Sequence, residues 1–380
     1  MKDYYVILTG SKNNAGDYLI KYRAKKLFSE YRPDREIVDL NGWEKLSDKS
    51  LEIVNNACAL ILLGGPALQN KMYPKVYALR ENLNDITVPI IMMGVGWYSK
   101  VGNWKETYTY KMDQQSHLLL EKIANSGYAS SVRDYHTLNT LNVFGHQKVL
   151  MTGCPALYDI EKIKQDVTFS KKIKKIGYSL GVSMVTSPAM MKQMQNVLLL
   201  LKKIFPDSEI VTVFHHSISK DFLDTAGATK KLYKTHIKFL NWLEENGFPH
   251  EDISGSAENL MDFYSRCDLH IGYRVHAHIF MSSISKYSVL LSEDGRGKAL
   301  EKVIGGNIID SYTSVNDSLF IKIIHKLNIP YDNFKPNSYI LEDIQHMFTY
   351  ELSNGIKFLQ PRSEIDRHFE VMLKFLKQLP

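Results

Sequence analysis

The sequence predicts an α/β protein made of two doubly wound domains, and three observations support this prediction. A chain of 380 residues is long for one hydrophobic core and suits two domains of about 150–200 residues each. Short apolar runs alternate with helical patterns, which indicates buried parallel strands covered by helices. A polar, lysine-rich stretch, Asp159–Lys175, separates two such series and is the predicted linker.

The first series, residues 1–160, is Rossmann-like in its alternation of strands and helices. Its apolar runs are too short for isolated helices, and each ends in glycine or a polar turn. A Gly/Asn loop follows the first strand, and a helix is predicted from Asp17 to about Glu30. The predicted strands are Tyr4–Gly10, Glu36–Leu40, Ala59–Gly65, Pro89–Gly96, Ala129–Asp134 and Lys148–Gly153.

The second series, residues 171–350, repeats this alternation, and its longest helix is predicted from about Asp221 to Asn246. Residues 360–380 carry apolar side chains on one helical face, which predicts a helix that packs back on the first domain. A helix lying on a membrane surface is the alternative. The strands of this series are Lys175–Gly181, Glu209–His216, Asp268–Arg274 and Tyr287–Glu293, and the helical face comprises Ile365, Phe369, Met372, Leu373 and Leu376.

Composition excludes several classes of protein. The net charge of +6 is mild and the lysines are spread, so the basic stripe of a nucleic-acid-binding protein is missing, whereas a small anionic substrate would suit this charge. No apolar run approaches the roughly 20 residues that span a bilayer, and we expect no signal peptide in MKDYYVILTGSKNN. Three widely spaced cysteines favour a reducing compartment. We therefore expect a cytoplasmic protein, with peripheral attachment to the inner face of the membrane left open.

Glycine-bearing loops follow three strands of the first domain. GSKNNAGD contains Asn14, Gly16 and Asp17, and Asp17 is the predicted N-cap of the next helix. The spacing matches neither a P-loop nor a dinucleotide fingerprint, so a turn with a helix cap is an equally good interpretation. LLGGP contributes Gly64 and Gly65, and MGVG contributes Gly94. Three such loops at one edge of a sheet predict a surface that faces a ligand.

The stretch HIGYRVHAHIF concentrates three histidines and one arginine in eleven residues, His270–Phe280. A strand ending near Gly272 and a helix beginning at about Val275 would separate His276 from His278 by about 200° around the helix axis. No H-E-x-x-H pattern or carboxylate cluster accompanies the histidines, so a metal site is not expected. Arg274 and His276 instead lie at a helix N-terminus that favours an anion.

Further charged residues end neighbouring strands. Arg133 in SVRD either pairs with Asp134 or points into the cleft between the domains, and of His215 and His216 at most one faces a ligand, because adjacent strand residues point to opposite faces. SEDGRGK adds both carboxylates and cations at the next strand end. Together these residues predict a pocket for a small, multiply charged anion. The members from SEDGRGK are Glu293, Asp294, Arg296 and Lys298.

The order of these motifs resembles the polysaccharide pyruvyl transferase family. The matching stretches are N-x-GD at Asn14–Asp17, LLGG, GVG, VRD followed by TGCPAL, and D-x-x-I-G-x-R-x-H at Asp268–His276. The resemblance implies two facing Rossmann-like domains, as in GT-B glycosyltransferases, with a closing C-terminal helix. It also implies phosphoenolpyruvate as co-substrate, bound by the second domain, and a sugar or lipid-linked glycan precursor of a surface polysaccharide as acceptor on the first.

The resemblance places the family's R-x-H motif on Arg274 and His276 and its VRD arginine on Arg133. The family's lysine after the following strand falls on Lys298, with Arg296 as competitor. Ketal formation needs a proton for the enol methylene, which suits a histidine that titrates near neutrality, and it calls for no metal or further cofactor. A GT-B nucleotide-sugar glycosyltransferase, with Glu293 or Asp294 holding the ribose, is one alternative. A non-catalytic glycan-binding relative is the other.

Overall fold

The computed structural model describes residues 3–9, 14–167, 172–220, 230–315 and 334–380. Residues 10–13 of the predicted Gly/Asn loop and residues 221–229 of the longest predicted helix lie outside this description. Within the described parts, two six-stranded parallel sheets carry helices, which confirms the predicted α/β fold of two Rossmann-like domains.

The first sheet contains all six strands predicted for the first domain, in the order β2-β1-β3-β4-β5-β6. Its central strands are buried along nearly their whole length, which explains their continuous apolar sequence. The elements are β1 Tyr4–Thr9, α1 Ala15–Tyr31, β2 Glu36–Asn41, α2 Asp48–Asn55, β3 Ala59–Leu68, β4 Ile90–Trp97, α3 Gln114–Ala124, β5 Ser130–Val132, α4 Tyr135–Val143 and β6 Val149–Met151.

The second sheet has the order β12-β11-β10-β7-β8-β9 and includes two short strands, β9 and β12, that the sequence did not predict. A hairpin and two further helices follow it. The elements are β7 Lys175–Ser179, α5 Pro188–Ile204, β8 Glu209–Phe214, α6 Lys230–Glu245, β9 His250–Asp252, α7 Ala257–Ser265, β10 Leu269–Gly272, α8 Val275–Ser283, β11 Tyr287–Ser292, α9 Gly295–Ile304, β12 Asn307–Asp310, β13 Tyr312–Val315, β14 Phe334–Pro336, α10 Ile340–Asn354 and α11 Ile356–Lys377.

Both sheets change direction of winding between adjacent central strands, which creates a crevice at their carboxyl ends. In the first sheet this point lies between β1 and β3, and in the second it lies between β7 and β10. Ligands of open parallel sheets bind at such points, because helix N-termini and loop N–H groups gather there. The second crevice is where β10 leads into Arg274.

A short loop of the first domain contacts the start of α9 in the second. The Gly295 N–H donates to the Ser99 carbonyl at 2.9 Å, and the Tyr312 hydroxyl donates to the Lys100 carbonyl at 2.7 Å. Gly102 and Gly295 approach backbone to backbone, and a Cβ on either would overlap the other. The glycines therefore allow the domains to approach closely on this side of the crevice.

The C-terminal helix α11 contacts both domains, whereas the sequence predicted packing on the first domain only. In its first half, Arg362 donates from Nη1 to the Ser283 carbonyl of the second domain at 3.0 Å. In its second half, the Phe369 ring packs on Tyr158 and Tyr31 of the first domain. The prediction missed the contacts with the second domain because an apolar face shows which side of a helix is buried and not which domain covers it. No described helix is long and apolar enough to cross a bilayer.

Candidate active site

The junction between β10 and α8 forms as predicted, with Arg274 directly before the first helical residue, Val275. Gly272 permits this turn because a Cβ there would overlap the backbone of Ser179 on the neighbouring strand β7. The Arg274 N–H donates to Ser179 Oγ at 3.1 Å. Among the described residues no side chain caps the start of α8, so no side-chain acceptor occupies its first N–H groups, where the helix dipole favours an anion.

The three histidines of this stretch separate into two groups. His270 and His278 are fully buried, and each has its Nδ1 within 2.9 Å of Ser288 Oγ. His276 points the other way, and a Cβ on Gly16 of α1 would overlap its imidazole. Among the described residues, no group of three or more His, Cys, Asp or Glu side chains could hold a metal ion.

Three arginines surround His276. Arg274 comes from the β10–α8 junction, Arg296 from the first turn of α9, and Arg133 from the end of β5 in the other domain. The Arg133 guanidinium lies over Gly96, where a Cβ would overlap it. Buried atoms without a hydrogen-bond partner among the described residues include Arg133 Nη2, Arg274 Nε and His276 Nε2. Since buried polar groups are normally paired, these three atoms mark a place for an anionic ligand.

Burial and charge hold the histidines of this site neutral. Desolvation lowers the pKa of His276 to about 3, and the charges of Arg133, Arg296 and Arg274 act in the same direction. Burial also lowers the pKa of Arg274 to about 10, although Glu293 opposes this shift. His276 therefore does not titrate near neutrality beside the three arginines, contrary to the expectation for a catalytic acid.

Arg296, and not Lys298, belongs to this cluster. Lys298 pairs with Asp310 at 3.4 Å and lies over the Tyr312 ring, 4.8 Å from its centre. Arg296 folds back on Asp294, the N-cap of α9, with Nε 2.9 Å and Nη2 2.7 Å from Asp294 Oδ2. The structure thus brings together Arg296 and His276, while Lys298 points toward β12 and β13.

Two other residues predicted to contact the ligand, Glu293 and His215, bond to protein groups instead. Glu293 accepts from the N–H groups of Val182 at 3.0 Å and Ser183 at 2.9 Å, so both carboxylate oxygens hold the loop after β7. His215 Nε2 lies 2.8 Å from the Tyr264 hydroxyl inside the second domain.

His216, the second of the two adjacent histidines, lies next to Arg274. Its Nδ1 accepts from Arg274 Nη2 at 3.0 Å. The sequence signal was the pair of adjacent histidines after a strand, of which only one can face a ligand.

Among the glycine loops of the first domain, some residues lie at the site and others only pack against the protein. Asn14 caps α1 by accepting from the Gly16 N–H at 3.2 Å, so the prediction that Asp17 is the N-cap was wrong. Asp17 lies in the first helical turn, near Gly65, whose φ of +79° suits glycine. Gly64 packs against Ile20, and a Cβ on Gly94 would overlap Pro155. Of the predicted glycines, Gly16 is the one in contact with His276.

Comparisons with known proteins agree with this architecture. The sequence model of the polysaccharide pyruvyl transferase family matches residues 14–280. The MnaA–UDP structure from S. aureus is 12% identical over 100% of this chain and 99% of its own, with a TM-score of 0.54. UDP-GlcNAc 2-epimerase from Neisseria meningitidis, solved with UDP-GlcNAc, is 10% identical over 99% of this chain and all of its own, with a TM-score of 0.53. No curated protein sequence matches the chain. At these identities the structural likeness concerns the two-domain, GT-B-like fold alone.

Proposed function

The chain belongs to the polysaccharide pyruvyl transferase family, and from this premise we propose that it transfers the pyruvyl group of phosphoenolpyruvate to two hydroxyls of a sugar in a surface polysaccharide precursor. The observation that carries the proposal is the buried cluster of Arg133, Arg274, Arg296 and His276 with its unpaired polar atoms. Arg296 pairs with Asp294, and Arg133 Nε lies 3.5 Å from Asp134, so the atoms left for a small anion with two charged groups are Arg133 Nη2, Arg274 Nε and His276 Nε2.

Phosphoenolpyruvate carries a carboxylate and a phosphate, and the cluster offers cations from both domains. Arg274 and Arg296 lie in the second domain, and Arg133 approaches from the first. Guanidinium groups suit this task because they stay charged and bind carboxylate or phosphate through two N–H groups. Binding phosphoenolpyruvate between the domains would also exclude water from the reacting carbon.

In the proposed reaction, one acceptor hydroxyl oxygen bonds to the central carbon of phosphoenolpyruvate as the methylene carbon gains a proton. The bond from that carbon to the phosphate oxygen then breaks, phosphate leaves, and the second hydroxyl oxygen bonds to the same carbon to close the ketal. Of the two hydroxyl protons, one balances the proton on the new methyl group and the other leaves with phosphate.

His276 is the proposed acid for the methylene carbon. Burial and, after it, three arginine charges depress its pKa, and a bound trianion would offset the arginine charges and so raise this pKa. The proton would thus reach His276 together with phosphoenolpyruvate.

The glycosyltransferase alternative has less support from this site. A nucleotide sugar would need a free carboxylate for its ribose, yet Glu293 accepts two backbone N–H groups and Asp294 holds Arg296. In a thermal-shift comparison we expect phosphoenolpyruvate to raise the melting temperature, and UDP and CMP to leave it unchanged. The reverse result would favour the nucleotide-sugar enzyme.

The direct test combines phosphoenolpyruvate with a panel of lipid-linked and nucleotide-linked sugars. Expected are release of phosphate and a sugar product whose mass has increased by one pyruvyl ketal, both dependent on acceptor. Phosphate release without a modified sugar would contradict group transfer. Binding of sugars without any turnover would support the glycan-binding alternative.

The contrast between Arg296 and Lys298 yields a further prediction. Arg296→Ala removes one cation of the cluster and frees the Asp294 carboxylate beside it, so we expect the KM for phosphoenolpyruvate to rise about a hundredfold. Lys298→Ala breaks a partly exposed pair with Asp310 and should change this KM by less than about threefold. Steady-state kinetics with varied phosphoenolpyruvate measure both. A larger effect at Lys298 would restore the assignment that the family resemblance implies.

A further inference from the structure

A continuous chain of buried side chains runs through the second domain beneath the candidate active site. We call it the histidine–hydroxyl chain, and its members are at most 5% exposed. Its six residues, in order, are His278, Ser288, His270, Ser179, Tyr264 and His215.

The links of this chain are short. Ser288 Oγ lies 2.8 Å from His278 Nδ1 and 2.9 Å from His270 Nδ1. His270 Nε2 lies 2.8 Å from Ser179 Oγ, and the Tyr264 hydroxyl is the next polar group beyond Ser179. At the other end of the chain, the Tyr264 hydroxyl lies 2.8 Å from His215 Nε2. The mechanism proposed above uses none of these six side chains.

The chain can be ordered in only two directions, because each hydroxyl supplies one proton. Ser179 Oγ already accepts from the Arg274 N–H, so it has room for one more accepted bond and one donated bond. If it accepts from His270 Nε2–H, Ser288 must donate to His270 Nδ1 and accept from His278 Nδ1–H. If it donates to His270 Nε2, every one of these bonds reverses.

The end of the chain at His278 selects between the two directions. His278 Nε2 is buried and has no partner among the described residues. The reversed direction would put a proton on this atom and leave an N–H without an acceptor, a rarer arrangement than an acceptor without a donor. His278 therefore carries its proton on Nδ1 and donates to Ser288, and His270 carries its proton on Nε2 and donates to Ser179.

The chain reaches Arg274 from two sides. Ser179 holds the Arg274 backbone N–H at 3.1 Å, where β7 and β10 end. His215 at the far end directly precedes His216, whose Nδ1 accepts from the Arg274 guanidinium at 3.0 Å. Ser179 thus fixes the backbone of Arg274, and His216, which follows His215, fixes its guanidinium.

We propose that the histidine–hydroxyl chain positions Arg274 for binding the anion, and that Ser179 is the residue through which it does so. Its histidines are uncharged, and its hydrogen bonds run in one fixed direction. Burial lowers the pKa of all three histidines, which agrees with uncharged rings. The role in binding phosphoenolpyruvate depends on the proposed function, whereas the direction of the hydrogen bonds does not.

The direction of the hydrogen bonds is tested first, without substrate, by nitrogen NMR of the whole protein labelled at histidine. We expect His270 as the Nε2–H tautomer and His278 as the Nδ1–H tautomer, both uncharged from about pH 6 to pH 8. His270→Gln and His278→Gln assign the signals. An Nδ1–H tautomer at His270, or a charged ring at either position, would overturn the proposed chain.

The positioning role is tested by Ser179→Ala against the control Ser283→Ala. Ser283 is also fully buried, and its hydroxyl donates to the Phe280 carbonyl on α8, outside the chain. Ser179→Ala should raise the dissociation constant of phosphoenolpyruvate about tenfold, because the Arg274 N–H loses its acceptor. Ser179→Thr, which keeps the hydroxyl, should restore most of the affinity, and the control should change it by less than twofold.

Unchanged affinity in folded Ser179→Ala would overturn the positioning role. If Ser179→Ala does not fold, Ser288→Ala takes its place: His270 should keep its Nε2–H tautomer because its bond to Ser179 remains, and a change to the Nδ1–H tautomer would overturn the proposed direction. If the unsubstituted protein fails to bind phosphoenolpyruvate, the proposed function is wrong, and the affinity comparison is then made with inorganic phosphate.

Discussion

Replacing Arg274 by alanine is expected to lower kcat/KM for phosphoenolpyruvate about a thousandfold. The guanidinium is buried beside His276, and its Nε has no partner among the described residues, so it is available for the substrate. Each charged hydrogen bond contributes about 1.5–3 kcal/mol, and a bidentate contact contributes two of them. Steady-state kinetics with varied phosphoenolpyruvate give the value directly.

Two controls separate this effect from a loss of folding. Arg266→Ala removes an arginine of the same domain that pairs with Glu251 at the surface, and it should change kcat/KM less than twofold. Arg274→Met keeps the volume but not the charge. Since burial lowers the pKa of Arg274 to about 10, the charge is unfavourable in the folded state, and Arg274→Met should increase the free energy of unfolding while it abolishes activity. A stable, active Arg274→Met variant would contradict the assignment.

Acidification is expected to unfold the protein over a narrow range near pH 5. Burial is the largest cause that lowers the pKa of nine of the described histidines, and the six with the largest shifts all lie in the second domain. Their pKa values are about 3 or well below the ordinary 6.5, so the folded state binds fewer protons than the unfolded state as the pH falls. The free energy of unfolding therefore decreases with decreasing pH below about 6.5. The six are His215, His216, His236, His270, His276 and His278.

The slope of this decrease is the measurable quantity. Each histidine contributes about 1.4 kcal/mol per pH unit once its unfolded form is charged, so six contribute about 8 kcal/mol per unit. A total stability of about 5–15 kcal/mol is then lost within about two units. Denaturant unfolding at a series of pH values from 5 to 8 gives the slope.

Single variants test the origin of the slope. His278→Gln should reduce it by about one proton, whatever its effect on stability at pH 8. Ile271→Val, beside His270 in β10, should lower stability and leave the slope unchanged, because no titrating group is removed. A flat pH dependence between 5 and 6.5 would show that the buried histidines are charged in the folded state or that the unfolded state does not protonate them.

The fold was predictable where burial dictated sequence. Strands β3 and β4 are buried on both faces and are therefore apolar almost throughout. Strands β9 and β12 were missed because they are edge strands of three and four residues, HED and NIID, whose composition matches a turn as well as a strand. Asn14 and Asp17 are both good caps, and only the folded backbone selects Asn14.

The site was predictable where local geometry decided it. The strand-to-helix junction follows from the sequence of HIGYRVHAHIF, and it separates His276 from His278 as expected. The choice between His215 and His216 depends on which face of β8 meets Arg274, and periodicity alone does not give that face. Arg296 replaces Lys298 because Asp294 caps α9 and draws the nearer cation back toward it.

The close approach of the two domains depends on Gly102 and Gly295, so it can be recognised in other sequences from the residues at these two positions. Neither position leaves space for a Cβ, and Gly102 also has a φ of +70°. A relative with a larger residue at either position must hold its loop away from the start of α9. Such a substitution, read from an alignment, would identify members of the family whose two domains are further apart on this side of the crevice.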